Sequence, residues 1–464
     1  MTSTIKVNKI EKESGSTLTL GGPSTAVTLA CGATQSGFGR TGTVDWCTTA
    51  KTSPFTSVSG NGYFLNTSGG AITITLPASP SAGDIVAIKD YLGTWGTSCK
   101  AVTIGRNSSK LNGACSDSVR STNNESLTMI YVDSTVGWKS IEEGTGNIGD
   151  VFICADGGTK LTSGNFTTHV FTADSNFVVN QISNLAANNV ADYFVVAGGG
   201  GGGRGSAPKY MAGGAGAGGF RLSNDTCMSA PVTSPLATPT GLTLASGSYP
   251  ITVGAGGAGS TVCNCKGVAG TNSIFSTITS AGGGQGGGGT GPQSTGGNGG
   301  SGGGGTSGGG GGSGNTPPVS PPQGQDGSTS PPGNTNGGGA GGGAGAAAGT
   351  TPSPSIGGTG GVGSFVDNNL FGPTSASYGT PGPVSGSRYF AGGGSGSSNG
   401  PSAPGGVPGG DGGGGRGGTG GPAVAAADGT ANTGGGAGGG SGDGGGLNGG
   451  AGGSGIVVIR YKSS

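Results

Sequence analysis

Glycine dominates the second part of this chain so strongly that an ordinary hydrophobic core cannot form there. Of the 118 glycines in 464 residues, 95 lie in the 267 residues from Gly198 to Ser464. Glycine has no side chain to bury, and ordering one in regular structure costs about 0.5–1 kcal/mol more than ordering alanine. Only backbone hydrogen bonds, at about 0.5–1.5 kcal/mol net each, offset such a cost. This part is therefore either disordered or a lattice of backbone-bonded glycine segments.

The spacing of the glycines favours the lattice. A Gly-X-Y triplet is not kept in register over any long stretch, which excludes collagen. Polyglycine-II helices, with about 3 residues per turn and a rise of about 3.1 Å, pack closely enough to hydrogen-bond backbone to backbone when glycine supplies every face. The apolar strand Ile456–Tyr461 follows the last glycine run and needs a pairing partner. The sequence therefore predicts packed polyglycine-II helices framed by β-strands.

The chain divides into three regions by composition, and no helix of consequence is predicted in any of them. Residues 1–45 alternate short β-prone pieces with Gly, Ser and Thr, which indicates an extended attachment or oligomerisation arm. Residues 46–145 have an ordinary composition and period-two alternation, as in Ile72, Ile74 and Leu76. They predict a small antiparallel β domain. Residues 146–464 form the glycine-rich β/polyglycine-II region, so the predicted fold class is all-β.

Charge and hydropathy limit the possible partners. The chain has 20 basic and 20 acidic residues and no basic run, which argues against a nucleic-acid partner or an anionic membrane held by charge. No stretch of eighteen apolar residues is present, so no membrane span is predicted. The first residues lack the apolar region of a secretory signal, and we expect synthesis in a cytoplasm without export.

The eight cysteines leave three interpretations open. They are scattered without a repeated CxxC pair, so they are free thiols or they form disulfides after release into an oxidising medium. Cys263 and Cys265, with Cys227 upstream, could bind a soft metal, but no fourth ligand is evident. No metal site or cofactor is predicted.

Four motifs in order resemble the glycine-rich domains of bacteriophage tail fibres and their adhesins. They are HVFT at 169–172, YFVVAGGGGGG at 193–203, YPITVGAGGAG at 249–259 and SGIVVIRY at 454–461. The segments TSTIKVNKI at 2–10, GYFLNTSGGAITITLPASPSAGDIVAIKDY at 62–91 and TIGRNSSKLNG at 103–113 are similar to structural proteins of marine phages, especially cyanophages. The resemblance implies a polyglycine-II sandwich whose loops touch the host surface, and a homotrimer, as is general for fibres.

Catalytic interpretations are weak. The single histidine, His169, lies in a β-prone segment without a G-x-S-x-G elbow, which indicates a structural strand residue. GxGxxG-like matches arise by chance in so glycine-rich a sequence, and none opens a helix. Paired carboxylates of a capsule-degrading fibre would have to come from acids that lie mostly at predicted strand ends and turns: Asp84, Asp90, Asp117, Asp133, Glu142 and Glu143.

Receptor contacts are expected at the interruptions of the glycine runs, because a glycine lattice displays chemistry only on its loops. Three interruptions combine aromatic side chains with apolar or charged neighbours, and such groups stack on sugars or anchor protein contacts. The alternative is that the same aromatics pack beneath the loops. The candidate contact residues are Lys209, Tyr210, Met211, Phe371, Tyr378, Arg388, Tyr389 and Phe390.

The resemblance therefore implies a non-enzymatic virion structural protein, a tail fibre or adhesin of a marine phage. The N-terminal region would join other virion tail proteins, and the glycine-rich loops would bind a host surface glycan or outer-membrane protein. Such a protein is assembled in the host cytoplasm and used outside the cell. The alternatives are a self-assembling extracellular or surface filament, and a capsid fibre or decoration protein.

Overall fold

The computed structural model describes residues 44–97, 100–141, 151–206, 210–225, 234–332, 337–351, 355–399, 405–442 and 447–463. The predicted N-terminal arm lies outside these ranges as far as residue 43. No α-helix occurs in the described ranges, so the all-β class is confirmed. Besides strands there are four short 3₁₀ turns: Ala186–Asn188, Gly291–Gln293, Asn368–Leu370 and Gly372–Ser377.

The first domain consists of two sheets around a core that contains Trp95 and Trp138, both fully buried. One sheet has the strand order β1-β3-β5-β8-β9 and the other has the order β2-β4-β6-β7. The strands are β1 (Asp45–Lys51), β2 (Phe55–Thr56), β3 (Asn61–Leu65), β4 (Ile72–Thr75), β5 (Ile85–Asp90), β6 (Val102–Gly105), β7 (Ser118–Arg120), β8 (Ser126–Asp133) and β9 (Gly137–Ser140).

The pairing in this domain corrects the predicted antiparallel arrangement. β1, β3 and β5 pair in parallel, and so do β2, β4 and β6. From β1 to β6 consecutive strands alternate between the two sheets, so this part of the chain winds as a coil instead of folding back in hairpins. Only the last strands, β7, β8 and β9, pair antiparallel. Period-two alternation buries one face in either arrangement, which is why the sequence pattern did not distinguish them.

Two further sheets begin after residue 151. A seven-stranded sheet has the order β11-β12-β25-β14-β15-β16, with β17 paired to β14, and a five-stranded sheet has the order β10-β13-β18-β19-β20. The strands of these two sheets are β10 (Cys154–Asp156), β11 (Thr159–Ser163), β12 (Phe166–Phe171), β13 (Ser175–Gln181), β14 (Val190–Val196), β15 (Phe220–Ser223), β16 (Ala237–Thr238), β17 (Leu242–Thr243), β18 (Gly247–Thr252), β19 (Ser273–Phe275), β20 (Ile278–Ser280) and β25 (Ile456–Lys462). Two separate two-stranded sheets are formed by β21 (Ser364–Asp367) with β22 (Ser387–Phe390) and by β23 (Thr419–Gly420) with β24 (Ala423–Val424).

The seven-stranded sheet is the middle of three layers. β25 lies between β12 and β14, so the apolar strand near the end of the sequence pairs on both sides, as predicted. One sheet face packs Val195 and Val457 against the five-stranded sheet. The opposite face packs Phe194 and Val458 under the β21–β22 hairpin. Both faces are buried, which explains the continuous apolar sequence of β14 and β25.

The glycine-rich region forms the predicted lattice. Residues 198–203, which continue directly from β14, use six successive N–H groups to bond three different segments in rotation, with N···O distances of 2.8–3.2 Å. Residues 198 and 201 donate to segment 265–271, residues 199 and 202 to segment 447–455, and residues 200 and 203 to segment 212–219. A repeat of three residues is the repeat of a polyglycine-II helix. We call residues 198–203 the central segment.

The carbonyl groups of the central segment complete a ring of six neighbours. They accept in the same rotation from three other segments: 281–288, 254–260 and 434–442. Along the central segment, the residue numbers of the acceptors fall in the first three neighbours, so these neighbours run antiparallel to it. The residue numbers of the donors rise in the other three, so these run parallel to it. A Cβ atom at any central glycine would collide with a backbone carbonyl of a parallel neighbour. Glycine is therefore required on all faces of this segment.

Segments at the lattice surface show the same repeat in their exposure. Ala255, Ala258 and Thr261 are exposed, whereas Gly254, Gly257 and Ser260 are buried. A residue larger than glycine is thus tolerated on the one face that has no neighbour. Residues 315–336 are rich in Pro and Ser, a composition that predicts a long loop within the lattice. Residues 325 and 328 nevertheless donate backbone hydrogen bonds to segment 337–345, so this part of the stretch belongs to the lattice.

Candidate functional site

The lattice has two chemically different ends. Three lattice segments meet the seven-stranded sheet: one begins at residue 197, one ends at residue 219 and one ends at residue 455. They meet there because Val196 pairs with both Phe220 and Ile456. Their other ends lie together at the opposite side, where Arg204 bridges to Cys265 and Gly440. A segment of eight residues at about 3.1 Å per residue spans about 25 Å. The loops at the far side are therefore held about that distance from the sheets.

We call the connections at this far side, which include Arg204, Tyr210, residues 261–266, 289–295 and Asn448, the distal loops. Arg204 ties two of them together, since its Nη1 donates to Thr261 O and to Asn448 Oδ1, the latter at 2.9 Å. Its Nε is buried and has no hydrogen-bond partner among the described residues.

A second basic residue joins the next pair of distal loops. Lys266 Nζ donates to Thr295 Oγ1 at 3.0 Å, and Lys266 N–H donates to Gln293 Oε1 at 3.4 Å. In the same loop as Lys266, Val262 is 61% exposed. The distal loops therefore present cationic, amide, hydroxyl and apolar groups on a rigid base, which is a surface suited to recognition.

The structure divides the predicted contact residues between the two ends. Tyr210 is partly exposed at the distal loops, whereas Met211 beside it is buried and accepts a hydrogen bond from Ser441 Oγ at its sulfur, 3.7 Å away. Lys209 lies outside the described residues. The remaining predicted residues lie at the sheet end, far from Tyr210.

At the sheet end most of the predicted residues belong to the core. Phe371, Tyr389 and Phe390 are buried, and the Phe371 ring lies 5.9 Å from Phe390 and 5.0 Å from the partly exposed Tyr378. Arg388 donates from Nε to Tyr378 O at 2.7 Å, so it closes this loop. Burial makes these rings the support of the β21–β22 hairpin, which is the packing alternative stated from the sequence.

His169 lies within β12, as predicted, and is fully buried. Its Nδ1–H donates to Gly157 O at 2.6 Å, which leaves Nε2 to accept from the Tyr461 hydroxyl at 3.0 Å. Burial lowers the pKa of His169 and raises that of Tyr461. Both groups are therefore neutral at pH 7, and the pair holds β12 to β25.

The described carboxylates that were considered for glycan cleavage hold turns. Asp90 accepts from the N–H groups of Gly93 and Asn124, both at 3.0 Å. Asp84, Asp117 and Asp133 likewise accept backbone N–H groups at 2.8–2.9 Å. Glu142 and Glu143 lie outside the described residues. In the described ranges no three His, Cys, Asp or Glu side chains come together as a metal site would require.

The described part of the chain contains no helix with the length and apolarity needed to cross a membrane. Sequence reasoning missed the distal groups around Arg204 and Lys266. Their signal was the end of each glycine run, since the first large side chain after a run marks the edge of the lattice.

No curated protein matches the chain. A family model for the glycine-rich domain matches residues 172–462, more than half of the sequence, and the chain therefore belongs to the glycine-rich domain family.

Proposed function

We propose that this protein is a non-enzymatic structural protein of a bacteriophage virion, a tail fibre or adhesin that attaches to the host cell. One observation carries the proposal: a lattice without side chains in its central segment separates the sheets from a set of distal loops that carry cationic, amide, hydroxyl and apolar groups. A spacer of this kind suits a protein that must hold a binding surface away from its anchor.

The order of the parts supports the same function. The first domain contacts the second beside Tyr461 and Ser463, at the end of β25 remote from the lattice. The parts therefore follow one another as first domain, sheets, lattice and distal loops. The N-terminal region then joins other virion tail proteins, and the distal loops face a host surface glycan or outer-membrane protein.

Three copies in a homotrimeric fibre would give the attachment its strength. Each set of distal loops offers a small contact area, so a single contact is weak, whereas linked contacts raise the overall affinity by roughly 10²–10⁴ without any new interaction. Assembly takes place in the host cytoplasm, and the protein acts outside the cell.

Cell binding by the labelled full-length chain tests the proposal. The assay uses a panel of marine cyanobacterial strains and compares two variants of equal exposure, Val262→Asp on the distal loops and Val58→Asp on the first domain, whose wild-type valines are 61% and 60% exposed. We expect at least tenfold weaker binding for Val262→Asp and no change for Val58→Asp. Equal binding by both variants, or binding to no strain, would contradict the proposal. Light scattering after size exclusion is expected to show a closed trimer, and open-ended polymers would favour the filament alternative.

A further inference from the structure

Two cysteines meet where the first domain contacts the glycine-rich domain. Cys115 follows the bridge between Leu111 and Ala114 in the first domain, and Cys154 opens β10 in the second. Both are free thiols and both are half-buried. Nothing in the sequence pattern pairs them, because they belong to different domains.

Gln181 brings these two cysteines together. The N–H group of Cys115 donates to Gln181 Oε1 at 3.4 Å. Gln181 is also the cross-strand partner of Cys154 in the β10–β13 ladder. Cα atoms directly opposite each other in an antiparallel ladder are about 4.5–5.5 Å apart. The two cysteines therefore flank one residue, Gln181, and both line the same cleft.

A cleft of about 460 Å³ opens onto both cysteines. Arg106 and Asp117 line it from the first domain, and Lys160 lines it from β11. With two basic side chains, Arg106 and Lys160, and one acidic side chain, Asp117, the cleft favours an anionic ligand. A small anionic disulfide such as oxidised glutathione thus has a route to the pair.

The surroundings assign the two thiols different roles. Burial and the neighbouring Cys115 raise the pKa of Cys154 to about 11, so Cys154 remains protonated at neutral pH. Since the thiolate is the nucleophile in thiol–disulfide exchange, Cys154 is a poor first attacker. The first attack therefore falls to Cys115.

We propose that Cys115 and Cys154 form a disulfide bond between the two domains once the chain meets an oxidising medium. The Cys115 thiolate attacks one sulfur of a low-molecular-weight disulfide, whose S–S bond breaks and releases one thiol. Cys154 then loses its proton and attacks the Cys115 sulfur of the mixed disulfide, which releases the second thiol. The two cysteines lose two electrons and two protons, and the oxidant is reduced to two thiols.

The bond fixes the direction in which the lattice projects from the first domain. It adds a covalent joint to the contacts at the cleft, at the base of the proposed spacer. The chemistry needs only an oxidising medium, so the proposal stands or falls independently of the adhesin function.

Peptide mapping of the full-length protein tests the disulfide. The reduced chain is oxidised with oxidised glutathione, alkylated, and digested with trypsin without reduction. Cleavage after Lys110, Arg120, Lys139 and Lys160 leaves each cysteine alone in its peptide, 111–120 or 140–160. We expect these two peptides to be linked in more than half of the molecules, and the link to disappear on reduction.

Two variants and one condition control this mapping. Cys47→Ser should leave the linked pair at its wild-type yield, whereas Cys154→Ser should leave a glutathione adduct on peptide 111–120. Oxidation in guanidinium should lower the yield at least tenfold, because only the fold holds the pair together. Recovery of both cysteines alkylated, or of a wild-type glutathione adduct on Cys115 beside an alkylated Cys154, would overturn the proposal.

Discussion

Adding one methyl group to the central segment should damage the whole lattice. In a Gly201→Ala variant the new Cβ atom would lie 2.8 Å from Gly257 O and closer still to Ala258 O. Ordinary van der Waals contact begins at about 3.4 Å, so segment 254–260 would have to move outward by at least about 0.6 Å. That movement stretches the hydrogen bonds from Gly257 N–H to Gly199 O and from Ser260 N–H to Gly202 O, which are 2.9 and 3.0 Å long.

The expected cost follows from these contacts. Two stretched hydrogen bonds lose about 1–3 kcal/mol together, and overpacking adds about 1–3 kcal/mol. Alanine also reduces the conformational entropy of the unfolded chain, which offsets about 0.4–1 kcal/mol of this loss of stability. The free energy of unfolding should therefore fall by about 2–5 kcal/mol. At a factor of ten per 1.4 kcal/mol, amide exchange of residues 198–203 should speed up roughly 30-fold to a few thousand-fold.

Gly310→Ala is the matched control. Gly310 lies in another glycine segment, and no atom comes within 4 Å of its Cβ position. We expect this variant to be as stable as the wild type or about 1 kcal/mol more stable. Hydrogen exchange measured by mass spectrometry compares the two variants directly. Exchange in Gly201→Ala within threefold of that in Gly310→Ala would refute the packing argument.

Three further predictions concern buried side chains of the sheets. Because burial lowers the pKa of His169, the unfolded chain binds more protons than the folded chain, and the free energy of unfolding should fall as the pH drops below about 6.5. Melting temperatures measured from pH 8 to pH 5 should show this decrease in the wild type and lose it in His169→Gln. The same decrease in both proteins would contradict the prediction. Asp192→Ala should lower the free energy of unfolding in denaturant by about 3–5 kcal/mol, because Arg460, whose Nη1 lies 3.8 Å from Asp192 Oδ2, is only 7% exposed and keeps its charge in the core. A decrease below about 1 kcal/mol would contradict this. Phe390→Ala should cost about 3–5 kcal/mol in the same assay. Near-native stability with lost cell binding would instead make Phe390 a receptor contact.

The lattice was predictable because its physical requirement is written directly in the sequence. Six consecutive glycines after an apolar strand indicate a segment with neighbours on every side, and Ala255 and Ala258, three residues apart, indicate a segment with one free face. The apolar strand Ile456–Tyr461 likewise predicted a pairing site. In each case a local pattern has one structural solution.

The candidate site was harder to predict because the direction of each segment is not local information. Tyr210 and Phe390 both adjoin glycine runs, yet one lies at the distal loops and the other beneath the β21–β22 hairpin. Which end a connection occupies depends on how many times the chain has crossed the lattice. Parallel pairing of β1 with β3 was hidden for a similar reason, since alternation fixes the buried face of a strand but not its partner.

Residue-resolved hydrogen exchange across segments 198–203 and 254–260 tests the lattice most directly. Six successive N–H groups of the central segment are bonded, so all six should exchange slowly. In the surface segment Gly257 and Ser260 donate to the central segment, whereas Ala258 and Gly259 have no acceptor among the described residues. We predict uniform protection in the first segment. In the second, Gly254 and Ala255 donate to side-chain hydroxyls and should also be protected, and over residues 256–260 only Gly257 and Ser260 should exchange slowly. Fast exchange throughout residues 198–203, or uniform protection of both segments, would contradict the six-neighbour lattice.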